Sequence, residues 1–190
     1  MRCSTIVVSS LLPLLLGVHA PSVASVAEAE PRDEYTVKAA FILNFARLTT
    51  WPDSALSEHL EVCIVGPAPL AARMVRLMEQ KSVRGHRVMP RAIESAEGLG
   101  DCHMVFIIRD ADDAGREHLL AVEKKAIMVV GETAGFAGRG AVINFYEESH
   151  KIRFEVNRHA ARRQRLQISS RLLGLARIVP DTSAPEERLD

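Results

Sequence analysis

The chain has 190 residues, equal totals of Lys plus Arg and Asp plus Glu at 24 each, and an apolar share of 47%. That length admits one ordinary domain whose core forms without a cross-link, and that composition is globular rather than disordered. The charge balance excludes the strongly basic domain that nucleic acid demands, so nucleic acid is not an expected partner.

Arg2 gives a positive start, Ile6 to Val18 is an apolar run broken by Pro13, and Val18-His19-Ala20, Ser22-Val23-Ala24 and Ser25-Val26-Ala27 are small-x-small triplets. This is the pattern of a secretory signal peptide over residues 1–27, cleaved after Ala20, Ala24 or Ala27, with export to the periplasm. The apolar run is short of the roughly 20 residues a bilayer span requires, and no cysteine follows it to receive a lipid. Cys3 would leave with the leader. Cys63 and Cys102 remain, and an even pair in an oxidising compartment reads as a disulfide.

The domain proper is expected over residues 33–180. Asp33 can cap a helix from Tyr35 to about Thr49, apolar on more than one face through Val37, Phe41, Phe45 and Leu48 and their neighbours, and therefore sandwiched. Trp51-Pro52 stops that helix, and Trp51 reads as core. Leu60 to Val65 is a short strand that Gly66-Pro67-Ala68-Pro69 turns into a helix carrying Leu70, Met74, Leu77 and Met78. Val88 and its neighbours offer a weak strand that Pro90 places at an edge. Met104 to Ile108 and Ala126 to Val130 are continuous apolar runs, as in strands buried on both faces. Between them Asp112 or Asp113 can cap a helix from Ala114 to Lys124, with Leu119, Leu120 and Val122 inward. The alternation predicts an α/β domain, a mainly parallel central sheet flanked by helices.

Gly135, Gly138 and Gly140 then crowd into a turn. Ala141 to Glu147 is β-rich, and the next run alternates with period two: Ile152, Phe154 and Val156 face one way, Lys151, Arg153, Glu155 and Asn157 the other. That predicts a C-terminal antiparallel hairpin whose second strand packs on one side only. After Asn157 the period becomes helical, through Ala160, Ala161 and Leu166 and then Leu172, Leu173, Leu175, Ala176 and Val179, with Ser169 or Ser170 capping the second piece. Residues 181–190, opened by Pro180, are expected to be a flexible tail.

Signatures of catalysis are missing from this order. No dinucleotide or P-loop glycine pattern follows a strand. Asp110 sits where a receiver domain holds its phosphoacceptor, but the first strand runs into Val65-Gly66-Pro67 and brings no acidic residues for a divalent ion. The seven histidines are scattered without a close ligand pair, Cys63 lies inside an apolar strand, and Ser169-Ser170 lack a nucleophile elbow. No catalytic residue, metal ligand or cofactor is assigned. Arg158, Arg162, Arg163, Arg165, Arg171 and Arg177 make either a solvated helical face or a surface for an acidic partner. Arg153, Glu155 and Asn157, beside Ile143 and Phe145, are the candidate partner-binding residues, a polar row next to a packed apolar centre. An internal Arg153–Glu155 ion pair is the structural alternative.

The string Gly135-Phe136, Gly140, Ile143-Asn144-Phe145, Arg153-Phe154-Glu155-Val156-Asn157, Leu166, Ser169-Ser170, Leu172-Leu173, Leu175-Ala176 resembles the C-terminal signature of the YfiR-like family. Tyr35 to Ala46 leading to Trp51-Pro52, and Val62-Cys63-Ile64-Val65-Gly66 with Cys102-His103-Met104-Val105-Phe106-Ile107, fit the same family in the same order. Gln164-Arg165 replaces small residues and Ala141 a second glycine, departures that touch a helix surface and a turn. The resemblance implies a periplasmic inhibitor without catalysis. It would bind the periplasmic sensor region of an inner-membrane GGDEF diguanylate cyclase and repress cyclic di-GMP synthesis, and so biofilm formation. Sequestration by an OmpA-like outer-membrane lipoprotein, or a redox change at the Cys63–Cys102 pair that the resemblance also suggests, would relieve it. A homodimer is a further expected association. The competing reading is a periplasmic small-molecule sensor, which needs a preformed pocket with convergent polar groups.

Overall fold

The computed structural model of the chain describes residues 33–56, 58–93, 96–108, 117, 119–120, 122 and 125–183. The expected leader, Asp110, the expected caps Asp112 and Asp113, most of the helix expected from Ala114 to Lys124, and the last seven residues lie outside the described residues.

Asp33 does cap the first helix: its carboxylate accepts from the Thr36 N–H at 3.2 Å and the Thr36 hydroxyl at 2.8 Å. Helix α1, Glu34–Arg47, buries Lys38, Ala39, Ile42, Phe45 and Ala46. After it come β1 (Thr49–Thr50), β2 (His59–Val65), α2 (Ala68–Met78), β3 (Ser82–Val83), β4 (His86–Ile93) and a 3-10 turn, Ala96–Asp101. Strands β5 (Met104–Ile107), β6 (Met128–Gly131), β7 (Ile143–Glu148) and β8 (Lys151–Val156) follow, then α3 (Arg158–Arg163), β9 (Gln167–Ile168), α4 (Ser170–Leu173) and β10 (Arg177–Ile178).

Eight strands form one sheet in the order β10-β8-β7-β6-β5-β2-β4-β3. The middle is parallel, β4-β2-β5-β6-β7, because each crossover returns the chain to the same end, while the β7–β8 turn at Ser149-His150 allows only an antiparallel return. The fold class is that expected from the alternation of elements. Strand β3 pairs only with His86 and Arg87, so β4 runs beyond its cover and Pro90 sits at that edge, where its missing N–H costs no ladder bond.

The core divides on the two faces of this sheet. Val62, Ile64, Met104, Phe106, Met128 and Val130 meet α1 and α2 on one face. Cys63, Val65, Val105, Ile107 and Val129 meet Leu99 of the 3-10 turn, Val122 and Phe136 on the other. Under α1 the rings of Phe41, Phe45, Phe145 and Phe154 cluster with centroids 4.9 to 6.0 Å apart. Each such aromatic pair adds about 0.5–1.5 kcal/mol beyond its buried area. Phe45 and Phe145 therefore pin α1 to the hairpin.

Three expectations need correction. Leu120 is not inward but 67% exposed, whereas Val122 is fully buried. The second helical piece is capped by Ser169 through the Leu172 N–H, as expected, and it is set apart from α3 where Arg165 takes φ +56°, Leu166 turns in and β9 pairs antiparallel with β1. The helical period beyond Leu173 does not hold, since β10 runs parallel to β8 as an edge strand and Leu175 is 72% exposed. Gln164 is no surface residue either. Its amide accepts from Ile127 N–H at 3.2 Å and donates to Val122 O at 3.0 Å, tying α3 to the loop before β6.

Candidate protein interaction surface

The β7–β8 hairpin has two faces of different chemistry, set by period-two alternation and the register Ile143↔Val156, Asn144↔Glu155, Phe145↔Phe154, Tyr146↔Arg153. Ile143, Phe145, Phe154 and Val156 form the face against α1 and are buried. The opposite face carries Asn144, Tyr146 and Glu148 on β7 and Lys151, Arg153 and Glu155 on β8, with Arg177 of β10 in register with Glu155. Side chains in register across strands stand close enough to interact. Here they do. Arg177 Nη2 donates to Glu155 Oε2 at 2.6 Å, Asn144 Nδ2 to Glu155 Oε1 at 3.2 Å, and the Arg177 guanidinium lies 4.0 Å over the Tyr146 ring. The hydrogen bond and charge of Glu155, aided by Tyr146 and Glu148, raise Arg177 above its ordinary value.

This polar face is divided lengthwise. At its inner end the turn after β6 folds over it. Gly131 allows that cover, since a Cβ there would stand 2.1 Å from Phe136 Cδ1, and Gly135 and Gly140 take the positive φ values the turn requires. Asn157 donates to Ala137 O at 2.7 Å and caps α3 by accepting from the Ala160 N–H at 2.9 Å. The segment Asp181–Ser183 lies over the same turn, with Arg163 on Asp181 and the Thr182 N–H on Gly138 O at 2.8 Å. Beneath this cover Asn144, Glu155 and Asn157 are at most 4% exposed.

Of the five candidate partner residues, therefore, only Arg153 presents its side chain to solvent; Ile143, Phe145, Glu155 and Asn157 are buried within the chain. Their burial removes them from direct contact with a partner in the folded chain. The Arg153–Glu155 ion pair does not form: Arg153 stands 3.8 Å from Glu148, and Glu155 belongs to Arg177. What the outer end offers instead is Tyr146, Arg153 and the stacked Arg177, continuous with the β10 edge where Leu175 and Ile178 are 72% and 46% exposed. Tyr and Arg presented beside exposed aliphatics are the composition of interface centres. Tyr146 and Ile178 escaped the sequence reading, and Leu175 was read as helical, because nothing local marks the strand in which Arg177 and Ile178 pair.

A second buried charge was also missed. Lys38 of α1 pairs with Glu34 and with Glu132 just after β6, the Lys38 and Glu132 side chains being 5% and 3% exposed, and its ammonium lies 5.0 Å from the Tyr35 ring. The signal was available: Lys38 sits one turn before Ile42 on the buried side of α1. Among the described residues no group of three or more His, Cys, Asp or Glu is placed to hold a metal ion, and no helix is long and apolar enough to cross a membrane. Cys63 and Cys102 form the expected disulfide, Cα to Cα 6.0 Å, joining β2 to the residue that opens β5.

A protein-family model described as YfiR/HmsC-like (DUF4154) matches residues 35–177. No curated protein matches the sequence. Among solved structures, the crystal structure of a conserved domain protein from Vibrio cholerae O1 biovar eltor superposes with a TM-score of 0.54 at 10% identity, over 76% of this chain and 60% of that one. At that identity the likeness speaks for the fold alone, and this chain spans less than two thirds of its neighbour's length.

Proposed function

Because the chain belongs to the YfiR/HmsC-like family of periplasmic regulators, we propose that it binds the periplasmic sensor region of an inner-membrane GGDEF diguanylate cyclase and holds that enzyme inactive, with no catalysis of its own. An inhibitor that prefers the off state lowers activity by its differential affinity, and anything that removes it restores activity. Sequestration by an OmpA-like outer-membrane lipoprotein is the proposed release, and a redox change at Cys63–Cys102 is a second route.

The observation that supports a protein partner is the outer end of the hairpin, where Tyr146, Arg153 and Arg177 adjoin the exposed Leu175 and Ile178. Strand β10 adds an outer sheet edge whose ladder groups face no further strand among the described residues, the template for pairing with a partner's strand. The test is Arg153→Glu. The Arg153–Glu148 contact is long and half exposed at both ends, so its loss leaves stability within about 0.5 kcal/mol. Cells carrying this variant at normal abundance should show raised cyclic di-GMP. Normal repression by a stably folded Arg153→Glu chain would remove this surface from the interface.

A further inference from the structure

On the side of the domain where α1 ends, β1 and the β3–β4 turn enclose a cleft of about 290 Å³. One wall is apolar, made by Trp51, Leu56, Leu60 and Val83. Arg84 also lines the cleft, its backbone at φ +51° in the turn and its Nη1 donating to Thr49 O at 3.2 Å and Thr50 Oγ1 at 3.4 Å. A guanidinium has five N–H donors, so Nε and Nη2 remain uncommitted among the described residues. Thr49 lines the same cleft, is 1% exposed, and its Oγ1 has no hydrogen-bond partner. A buried hydroxyl left in that state is disfavoured unless something completes it. Most buried polar groups are paired, and this hydroxyl is a donor still open to an acceptor.

We propose that this cleft is a binding site for a small monocarboxylic acid with an apolar body. The carboxylate meets the open fork of Arg84 and supplies an acceptor on the side of Thr49, and the body lies on Trp51, Leu56 and Val83. Bidentate recognition by the planar fork suits a carboxylate. Asp53, also in the lining, repels any anion there; the Arg84 guanidinium offsets that for one carboxylate, and a second would meet the repulsion unpaired. The volume holds a molecule of about ten heavy atoms, near the lower bound of ligand pockets. This site lies apart from the hairpin surface, so its success or failure leaves the proposed partner interface untouched.

Trp51 is the chain's single tryptophan, and its emission therefore reports on this cleft. Phenylacetate and hexanoate are the probes, with phenylethanol as the uncharged comparison and succinate as the doubly charged one. Both acids should change Trp51 emission saturably, with half-saturation on the order of 1 mM as befits so few atoms, and should raise Tm with concentration. Phenylethanol, succinate, and phenylacetate on Arg84→Gln should each bind at least about tenfold more weakly, the loss expected for one charge-assisted hydrogen bond. Thr49→Val should weaken the acids without lowering the ligand-free Tm, because the hydroxyl it removes is unpartnered. Should Arg84→Gln fail to fold, Arg84→Lys keeps the charge without the fork and should bind measurably less tightly. No saturable response to either acid, equal binding in the Arg84 variants, or phenylethanol matching phenylacetate would each overturn the assignment.

Discussion

Reducing the Cys63–Cys102 disulfide tests the two-faced core directly, since the bond lies on the sheet face away from α1 and closes a loop of sequence separation 39. The chain-entropy estimate for a loop of that length is about 4 kcal/mol at room temperature. For a domain of this size 1 kcal/mol moves Tm by about 2–4 °C, so the reduced chain should melt about 8–16 °C below the oxidised one. Comparing the oxidised chain with the same chain refolded in reductant, thiols counted, keeps every side chain and adds no cavity. The structure also sets the kinetics. Cys63 is fully buried, Cys102 is 3% exposed, and Arg91 bridges across to Gly98 O at 2.8 Å beside the Cys102 sulfur. A thiolate must reach a sulfur to exchange with it, so reduction has to wait for an opening of the segment around Leu99. A reductant that cleaves the bond at once in denaturant should act far more slowly on the native chain. Equal rates, or a Tm difference under about 3 °C, would refute the reasoning. Slow native reduction with a large Tm loss would mean that the proposed redox route acts through stability and abundance.

Glu155→Lys should destabilise the chain by about 3 kcal/mol or more in urea unfolding, because it buries an unpaired ammonium beside Arg177; Glu155→Gln should cost about 1–2 kcal/mol, and a wild-type midpoint for the lysine variant would contradict the burial of this site. At Asp181, burial works to raise the carboxyl, but hydrogen bonds from Ser183 and the Arg163 guanidinium outweigh it and hold it below 3.8. The tie of Asp181–Ser183 to the turn is thus fully present above pH 3.8 and lost as pH falls through the lowered value. The Ser183 amide, which donates to Asp181 Oδ1 at 3.0 Å, should titrate by NMR with a midpoint below 3.8, and a midpoint at or above that value would refute the pairing.

Local chemistry carried much of this fold into the sequence. Asp33 capped where a cap was expected because the Thr36 N–H it serves is three residues away. Pro90 marked an edge because proline lacks a ladder donor whatever surrounds it. The buried strands Met104–Ile107 and Met128–Gly131 were legible as unbroken apolar runs. Cys63 and Cys102 are the two cysteines within the domain, so one pairing was open to them there.

The candidate site was legible only in its location. Period two correctly separated Phe154 and Val156 from Arg153 and Glu155, but alternation says which face a side chain takes and not what later covers that face. Glu155 and Asn157 became interior because the turn around Ala137 and the segment Asp181–Ser183 fold over them, through contacts such as Asn157 to Ala137 and Thr182 to Gly138, separations of 20 and 44 residues. Leu175 and Ile178 stayed exposed for the converse reason. The helical spacing read through Leu175 and Val179 was overruled where Arg177 and Ile178 pair with the open edge of β8, whose backbone groups would otherwise lack ladder partners. Those decisions depend on which distant backbone lies alongside, a fact no window of neighbouring residues contains.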